Sequence, residues 1–231
     1  MKLTIQHIRQ EAEAIKTIRL SIHGKNFSFL PGQSLAININ DPKNNIPEQK
    51  RYYSIASSPH QTHYLELLIK DNPKSLVGHY LYEHLTPGDE LDVEGPYGNM
   101  ILPASNVQRV TLIAAGSGIA PLMSITRYLQ EKNQNAAITL FYSTKTSSEI
   151  AFLDELEDLK HKKTFSYIHT ITQDPHWNGN KGRITKNFLE KNLPSKEGVF
   201  FICGPTDMIK DTVTNLKELG VKENAIILEK Y

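Results

Sequence analysis

The sequence has very little cysteine, because Cys203 is the one thiol in 231 residues. An internal disulfide needs two cysteines and an iron–sulfur cluster is held by about four thiolates, so the chain by itself can supply neither. The closest pair of histidines, His60 and His63, stands in a polar loop without nearby acidic or thiol side chains. This arrangement does not favour a metal site, and none is predicted.

The sequence also lacks a long apolar run and an excess of charge of either sign. No stretch approaches the ~20 apolar residues that span a bilayer, and residues 1–7 turn polar too soon for a signal peptide. Basic and acidic side chains number 26 and 25 in total, with 10 against 11 before Pro103 and 16 against 14 after it. Because neither half is strongly basic, nucleic-acid binding is not indicated. We therefore expect a cytoplasmic protein without a membrane span.

Short alternating patterns separated by turn residues occupy the first hundred residues. Apolar and polar residues alternate over 18–22 and 35–39, and β-rich runs recur near residues 51, 64–69 and 91–94. Strands at this spacing are typical of a small antiparallel barrel. Residues 77–85 have helical spacing, and Ser75 is the predicted N-cap. The N-terminus of a helix laid against a barrel is a ready anion site.

One of these strands combines side chains suited to a charged, aromatic ligand. In the run Arg51-Tyr52-Tyr53-Ser54, the guanidinium suits a phosphate, the tyrosine ring a flat heterocycle and the hydroxyl a ring nitrogen. Strand side chains alternate, so Arg51 and Tyr53 share one face and Tyr52 and Ser54 the other. Twist at the end of the strand can still bring Tyr53 and Ser54 to one ligand. An ordinary barrel strand with a surface arginine could have the same sequence.

From Arg109 onward the pattern becomes that of an open parallel sheet. Near-continuous apolar runs alternate with amphipathic segments, which predicts strands covered on both faces by helices. The predicted strands are 110–115, 138–142, 165–171, 199–203 and 225–228; the helices are 121–130, 150–159, 185–193 and 206–219. Ligands of such a sheet lie beyond the carboxyl ends of the strands, which singles out loops 116–120, 143–148 and 204–205.

The glycine-rich turn after the first of these strands is typical of a phosphate-binding site. Gly116-Ser117-Gly118-Ile119-Ala120-Pro121 joins strand to helix, so backbone N–H groups point at a phosphate, and Pro121 fits the first helical turn. A serine hydrolase would need glycines two residues before and after Ser117, where Ala115 and Ile119 stand. A P-loop is excluded because no Gly-Lys-Ser/Thr follows.

Five motifs in this order resemble the ferredoxin–NADP reductase family. They are Arg51-x-Tyr53-Ser54, Gly95-Pro96-Tyr97-Gly98, Ala115-Gly116-Ser117-Gly118-Ile119-Ala120-Pro121, Cys203-Gly204-Pro205 and Leu228-Glu229-Lys230-Tyr231. The resemblance covers nearly the whole chain. It implies an antiparallel Greek-key flavin-binding β barrel over residues 1–103 and a doubly wound, five-stranded parallel α/β domain that binds NAD(P)H over 104–231. The implied activity is that of an FAD-dependent oxidoreductase, which passes hydride from NAD(P)H to bound flavin and then electrons to ferredoxin, flavodoxin or an oxygenase component.

The resemblance also assigns roles around the flavin. Arg51 would pair with its phosphate, Tyr53 would pack on the isoalloxazine, and Ser54 would hydrogen-bond near N5. Glu229 would assist proton movement at the flavin edge. Tyr231 would cover the flavin face that the nicotinamide must reach.

Further roles concern the nicotinamide and the phosphates. Cys203 would border the nicotinamide, so the predicted catalytic set is Ser54, Cys203, Glu229 and Tyr231. The remaining cofactor-binding residues are the strand, helix-start, glycine-turn and loop positions Tyr52, Val77, Gly78, His79, Gly116, Ser117, Gly118, Ile119, Ala120, Pro121, Ser143, Lys145, Gly204 and Pro205.

Both cofactor choices stay open at this point. Many members of the family have a serine where this chain has Gly78, so a hydroxyl contact to the flavin is lost; FAD is favoured and FMN is the alternative. The end of the second sheet strand, residues 143–146, has no acid before Glu149 to take the ribose hydroxyls of NAD. This favours NADPH, with Ser143, Lys145 and Arg183 around the 2′-phosphate, whereas an ordinary solvated lysine would also explain Lys145.

Two other functions fit the same residues. One is an NAD(P)H:flavin reductase that releases reduced flavin, and the other is an electron-transfer subunit that is active only within a complex. The acceptor is either a partner protein or a free small molecule.

Overall fold

The computed structural model describes residues 1–103, 107–132 and 135–230. Its first part is a six-stranded antiparallel sheet with the order β4-β3-β6-β1-β2-β5. An antiparallel bridge between Ile55 and Leu67 joins the two outer strands and closes the sheet into a barrel. The strands are β1 (Lys2–Ala12), β2 (Ile15–Ser21), β3 (Ser34–Asp41), β4 (Ile46–Ser54), β5 (Tyr64–Lys70) and β6 (Glu90–Tyr97).

The predicted alternation matches the inside and outside of this barrel. Ile18, Leu20, Leu35 and Ile37 are each at most 1% exposed and form its core. Strand β1 is not predicted by the sequence pattern, because only two of its 11 residues are buried. A strand that lies mostly against solvent has too few apolar positions to show a period of two.

Helix α1 (Leu76–His84) lies against the barrel and begins where it was predicted to begin. Ser75 is its N-cap, and the Ser75 hydroxyl accepts a hydrogen bond from the backbone N–H of Gly78 at 3.1 Å. Val77 and Leu81 are buried in the barrel core. The apolar face of the helix therefore fixes the direction in which its N-terminus points.

The second part is a parallel sheet with the order β10-β9-β8-β7-β11-β12. The five predicted strands are present, and the two-residue β10 at the edge is a sixth that is too short to give any pattern. The elements are β7 (Arg109–Ala115), α2 (Ile119–Lys132), β8 (Ala137–Thr144), α3 (Leu153–Lys160), β9 (Phe165–Ile171), β10 (Asn180–Lys181), α4 (Lys186–Asn192), β11 (Val199–Gly204), α5 (Thr206–Glu218) and β12 (Ile226–Lys230).

Helices cover both faces of this sheet, as the doubly wound prediction requires. Buried residues of α2 and α3 pack on one face and those of α4 and α5 on the other. The strand order reverses between β7 and β11, which creates a crevice beyond their carboxyl ends. The crevice is bordered by the glycine turn after β7 and by Gly204 at the end of β11.

The barrel shares a hydrophobic core with one face of the sheet. Ile15, Ala56 and Leu68 of the barrel are at most 4% exposed and belong to the same buried cluster as the inner residues of α2 and α3. The predicted boundary between residues 103 and 104 adjoins positions outside the described residues, so it stays a prediction. No helix in the described ranges has both the length and the apolar content to cross a membrane.

Candidate active site

A cavity of about 300 Å³ lies between the end of β4 and the glycine turn of the sheet. All four residues of the run 51–54 border it, and Ser117 and Ala120 border it from the other side. Ser54 is 4% exposed, whereas the ring of Tyr52 is largely in solvent. Burial raises the pKa of Tyr53 to about 12, against a smaller opposing effect of Arg51. The two halves of the chain thus form one site.

The start of α1 lies at the same cavity. Asn72, Ser75 and Gly78 border it. The amides of a helix N-terminus favour an anion, although the Ser75 hydroxyl already receives the Gly78 amide. A Cβ atom at Gly78 would lie 3.1 Å from the Ser75 hydroxyl oxygen, which is a tight contact. A larger residue at this position would press on the cap.

The glycine turn packs directly on the end of β11. A Cβ atom at Gly118 would lie 2.3 Å from the carbonyl oxygen of Cys203, so only glycine fits there. Gly116 has a positive φ of 55°, and its carbonyl oxygen accepts a hydrogen bond from the Tyr142 hydroxyl at 3.1 Å. These contacts hold the turn rigidly beside Cys203.

Cys203 and Glu229 are neighbours across two parallel strands. They are register partners in the pairing of β11 with β12, and Cys203 also pairs with Ala114 of β7. Burial raises the pKa of Glu229, and its Oε2 atom is buried without a hydrogen-bond partner among the described residues. A Cβ atom at Gly98 of the barrel would lie 3.3 Å from Glu229 Oε1. The carboxylate therefore stands where the barrel meets the sheet.

A second cavity, of about 360 Å³, lies at the carboxyl ends of the parallel strands. It contains the predicted nucleotide-binding residues Gly116, Ser143, Lys145, Arg183 and Pro205. Further bordering residues, which the sequence analysis did not single out, are Gln173, Asp207, Met208 and Asp211. Lys145 and Arg183 are thus brought to one cleft from separate segments of the chain.

Lys70 is a site residue that the sequence analysis missed. It borders both cavities, its Nζ atom is 2.7 Å from Glu149 Oε2, and a Cβ atom at Gly116 would lie 3.9 Å from that Nζ. The sequence feature that could have identified it is its position: Lys70 ends the strand pattern, directly before the turn residues 71–73. The lysine connects the two sites through a partly buried ion pair between the barrel and the sheet.

Some predicted residues contribute to the site only through their backbone or not at all. The Val77 side chain lies in the barrel core, and His79 Nδ1 is 2.8 Å from Asp71 Oδ1 on the exposed side of α1. Ile119 and Pro121 are buried and make the start of α2 part of the sheet core. Tyr231 lies outside the described residues.

The residues present fit an FAD group and a nicotinamide nucleotide. The first cavity combines a guanidinium, a neutral tyrosine, a buried hydroxyl and a helix start; the second combines a glycine turn with Lys145 and Arg183. The unpartnered Oε2 atom of Glu229 marks a polar position between the barrel and the sheet that a bound group could satisfy.

Comparison with known proteins identifies both parts of the chain. Residues 2–101 match the family described as oxidoreductase FAD-binding domain, and residues 112–214 match the oxidoreductase NAD-binding domain. Together the two matches cover most of the chain, in the order in which the barrel and the sheet occur.

Relatives with curated functions match over much of the chain. The flavohemoprotein of Rhodopirellula baltica is 28% identical over 217 residues, which covers 87% of this chain and 52% of that protein. The glycine betaine monooxygenase reductase subunit of Chromohalobacter salexigens is 30% identical over 201 residues, which covers 84% of this chain and 54% of that protein. The chain therefore spans about half the length of these relatives.

A solved structure shares the fold. The ferredoxin NADP+ reductase from Neisseria gonorrhoeae, with bound FAD and NADP, has a TM-score of 0.84 at 22% identity and covers 100% of this chain and 98% of that chain. At this identity the likeness shows the barrel-and-sheet architecture.

Proposed function

The chain belongs to the ferredoxin–NADP reductase family of FAD- and NAD-binding oxidoreductases, and from this premise we propose that it is the reductase of an electron-transfer pair. It takes hydride from NAD(P)H onto bound FAD and delivers electrons to a separate acceptor: a ferredoxin, a flavodoxin or an oxygenase component. The observation that carries the proposal is that Lys70 borders both cavities, and that Ser54 of the barrel and Ser117 of the sheet both border the first.

The residues of the first cavity would hold the flavin. Arg51 is exposed at the cavity and offers a bidentate donor to a phosphate, while Tyr53 presents a neutral ring on which a flat heterocycle packs. The buried Ser54 hydroxyl would hydrogen-bond the flavin ring. Bound FAD and NAD(P)H supply the redox chemistry itself, and the protein supplies binding, orientation and exclusion of water.

The residues of the second cavity would hold the nicotinamide nucleotide. The glycine turn, with Gly204 and Pro205 beside it, would bind the pyrophosphate through backbone N–H groups. Cys203 would border the nicotinamide. Glu229, whose pKa is raised by burial, would hold a proton near neutral pH more readily than an exposed glutamate and would serve proton movement at this edge.

An oxygenase system is one source of the acceptor. The Chromohalobacter salexigens relative is a reductase subunit of a monooxygenase. The test is an absorption spectrum of the purified protein, followed by anaerobic titration with NADH and NADPH and then by addition of a ferredoxin, a flavodoxin or an oxygenase component. Flavin that stays bound through gel filtration, bleaches near 450 nm and is reoxidised by one of these proteins supports the proposal. A protein that stays colourless after incubation with FAD and FMN contradicts it.

A flavin reductase is the second candidate, and one observation favours it. The Ser75 hydroxyl is engaged as the N-cap of α1, and Gly78 offers no side chain to the flavin. A weakly held flavin would wash out on gel filtration and turn over as a substrate, with a rate that saturates with free flavin. If reduction instead requires stable association with a partner protein, the chain acts as an electron-transfer subunit.

We propose a preference for NADPH over NADH. Lys145 and Arg183 border the nucleotide cleft next to Ser143, and cationic side chains suit a 2′-phosphate. Lys145→Ala is expected to raise KM for NADPH about tenfold, the loss of one charged hydrogen bond, while KM for NADH changes little. Measured kcat/KM values with both nucleotides check this, and a more than tenfold preference of the wild type for NADH would reverse it.

A further inference from the structure

Helix α2 contacts the barrel at the point where the predicted flavin strand ends. Three of its residues are spaced by three and four positions and therefore lie on one helix face. Their partners are consecutive in the segment that follows β4: the Ser124 hydroxyl donates to the carbonyl of Ser57 at 2.8 Å, Arg127 Nη1 donates to the carbonyl of Ala56 at 2.8 Å, and Glu131 accepts from the Ser58 hydroxyl. One helix face thus holds three successive residues of the barrel.

Arg127 is the central member of this face and joins carboxylates from both parts of the chain. Its Nη1 atom is 2.8 Å from Oε1 of Glu66, on barrel strand β5. Its Nε atom donates to Oε1 of Glu155, on α3 of the sheet, at 2.8 Å. The guanidinium also lies 5.1 Å from the ring centroid of Phe152. A planar fork with several donors can satisfy these partners together, which a lysine cannot do.

The pair of Arg127 with Glu66 is buried. The side chain of Glu66 is 5% exposed and that of Arg127 is 20% exposed. Burial by itself would raise the pKa of Glu66, but Arg127 and Arg19 outweigh it and hold the net pKa below the ordinary value. The carboxylate is therefore charged in the folded protein and fixed to the helix.

The strand that Arg127 holds is also a wall of the flavin cavity. Glu66, Leu68 and Lys70 alternate along β5 and so share one face. Leu68 and Lys70 border the first cavity, and Glu66 continues the same face toward α2. Helix α2 in turn begins directly after the glycine turn that borders the second cavity. A single helix therefore contacts the strand that borders the first cavity and begins at the turn that borders the second.

We propose that Arg127 is a positioning residue, which fixes the barrel against the sheet and thereby the geometry in which the flavin and nicotinamide sites face each other. The proposal rests on the proposed function and adds a determinant that touches neither cofactor site. Hydride transfer depends steeply on the placement of the reacting atoms, and a displacement of about 1 Å can cost on the order of 100-fold in rate. Loss of Arg127 should therefore slow flavin reduction without a comparable loss of nucleotide binding.

The test compares Arg127→Met, Arg127→Lys and Glu66→Gln with the wild-type holoprotein in anaerobic stopped-flow reduction. The matched control is Lys186→Met, which removes an ion pair between α4 and α5 with Glu218 at 2.8 Å, within the sheet domain. Arg127→Met is expected to lower the maximal rate of flavin reduction roughly 10- to 100-fold, with the nucleotide dissociation constant changed less than about threefold. Arg127→Lys restores part of the rate, and the control keeps the wild-type rate.

A second readout does not depend on activity. Hydrogen–deuterium exchange of residues 56–60, without nucleotide, should accelerate in Arg127→Met and not in the control. If Arg127→Met has a lower thermal midpoint but an unchanged rate of flavin reduction, Arg127 has only a structural role and the proposal is overturned. If Arg127→Met does not fold, Glu66→Gln decides: it removes the charge that Arg127 contacts on the barrel side and keeps the shape of the side chain, and an unchanged rate there overturns the proposal. A wild-type protein whose flavin neither NADH nor NADPH reduces would instead refute the proposed function.

Discussion

At the residue scale, the chemistry depends on groups whose environment shifts their pKa. Glu229 is the clearest case, because burial raises its pKa and one carboxylate oxygen has no partner among the described residues. Burial raises the pKa of Tyr53 as well, although a phenol is neutral at neutral pH without that shift. Glu66, by contrast, is buried and charged because Arg127 and Arg19 compensate it. Burial alone does not decide the charge of a carboxyl group here; its partners do.

Glu229→Gln is expected to stabilise the flavin-free protein at neutral pH. Because the folded pKa is raised, the carboxylate costs stability once the pH exceeds the unfolded pKa of about 4.3. The cost grows until the pH passes the folded pKa. The variant should therefore match the wild type near pH 4 and exceed it by at most about 1 kcal/mol at pH 8, because solvent reaches this half-buried group and screens part of its charge. Urea unfolding at the two pH values measures this, and equal stability at both would mean that solvent screens the carboxylate.

At the element scale, alternation and continuous apolar runs predicted which segments become strands of the barrel and which become strands of the sheet. The pattern missed β1, which has only Leu3 and Ile5 buried, and β10, which has two residues. It also missed Lys70 and Arg127. A hydrophobic period of two or 3.6 indicates which residues are buried, but not which distant segment covers them. The contacts between α2 and residues 56–58 could therefore not be predicted from the sequence.

The N-terminus of α1 gives a prediction that separates capping from flavin binding. Ser75→Ala removes the hydroxyl that accepts from Gly78, and Thr185→Ala removes the corresponding cap of α4, where the Thr185 hydroxyl accepts from the Phe188 amide at 3.3 Å. Each change should lower the free energy of unfolding by about 1 kcal/mol. Only Ser75 borders the first cavity, so only Ser75→Ala should weaken flavin binding.

Fluorescence titration of the flavin-free variants with FAD distinguishes the two effects. Equal loss of FAD affinity in both variants would mean that capping acts through overall stability. Unchanged affinity in Ser75→Ala would remove the start of α1 from the flavin site.

At the scale of the whole molecule, the barrel and the sheet are one packed unit. Ile15, Ala56 and Leu68 belong to the buried cluster of α2 and α3, and ion pairs join the two parts at Glu66, which is buried, and at Lys70, which is partly buried. A site formed between two domains needs such an interface, because rotation of one part would separate the cavities. The same contacts should make the two parts unfold together.

A substitution deep in the barrel should therefore be detected by a probe in the sheet. Ile37 is fully buried in the barrel core, and Ile37→Ala should cost about 2–5 kcal/mol through the lost contacts and the cavity, which corresponds to a fall in Tm of roughly 5–15 °C for a chain of this size. The one tryptophan, Trp177, packs on the shared cluster from the sheet side. Its fluorescence transition in the flavin-free variant should shift by the same amount as the circular dichroism. Leu216→Ala, in the sheet core, is the matched control. A Trp177 transition that stays at the wild-type temperature in Ile37→Ala would mean that the parts unfold independently, and the interface would then be too weak to hold two cofactors in register.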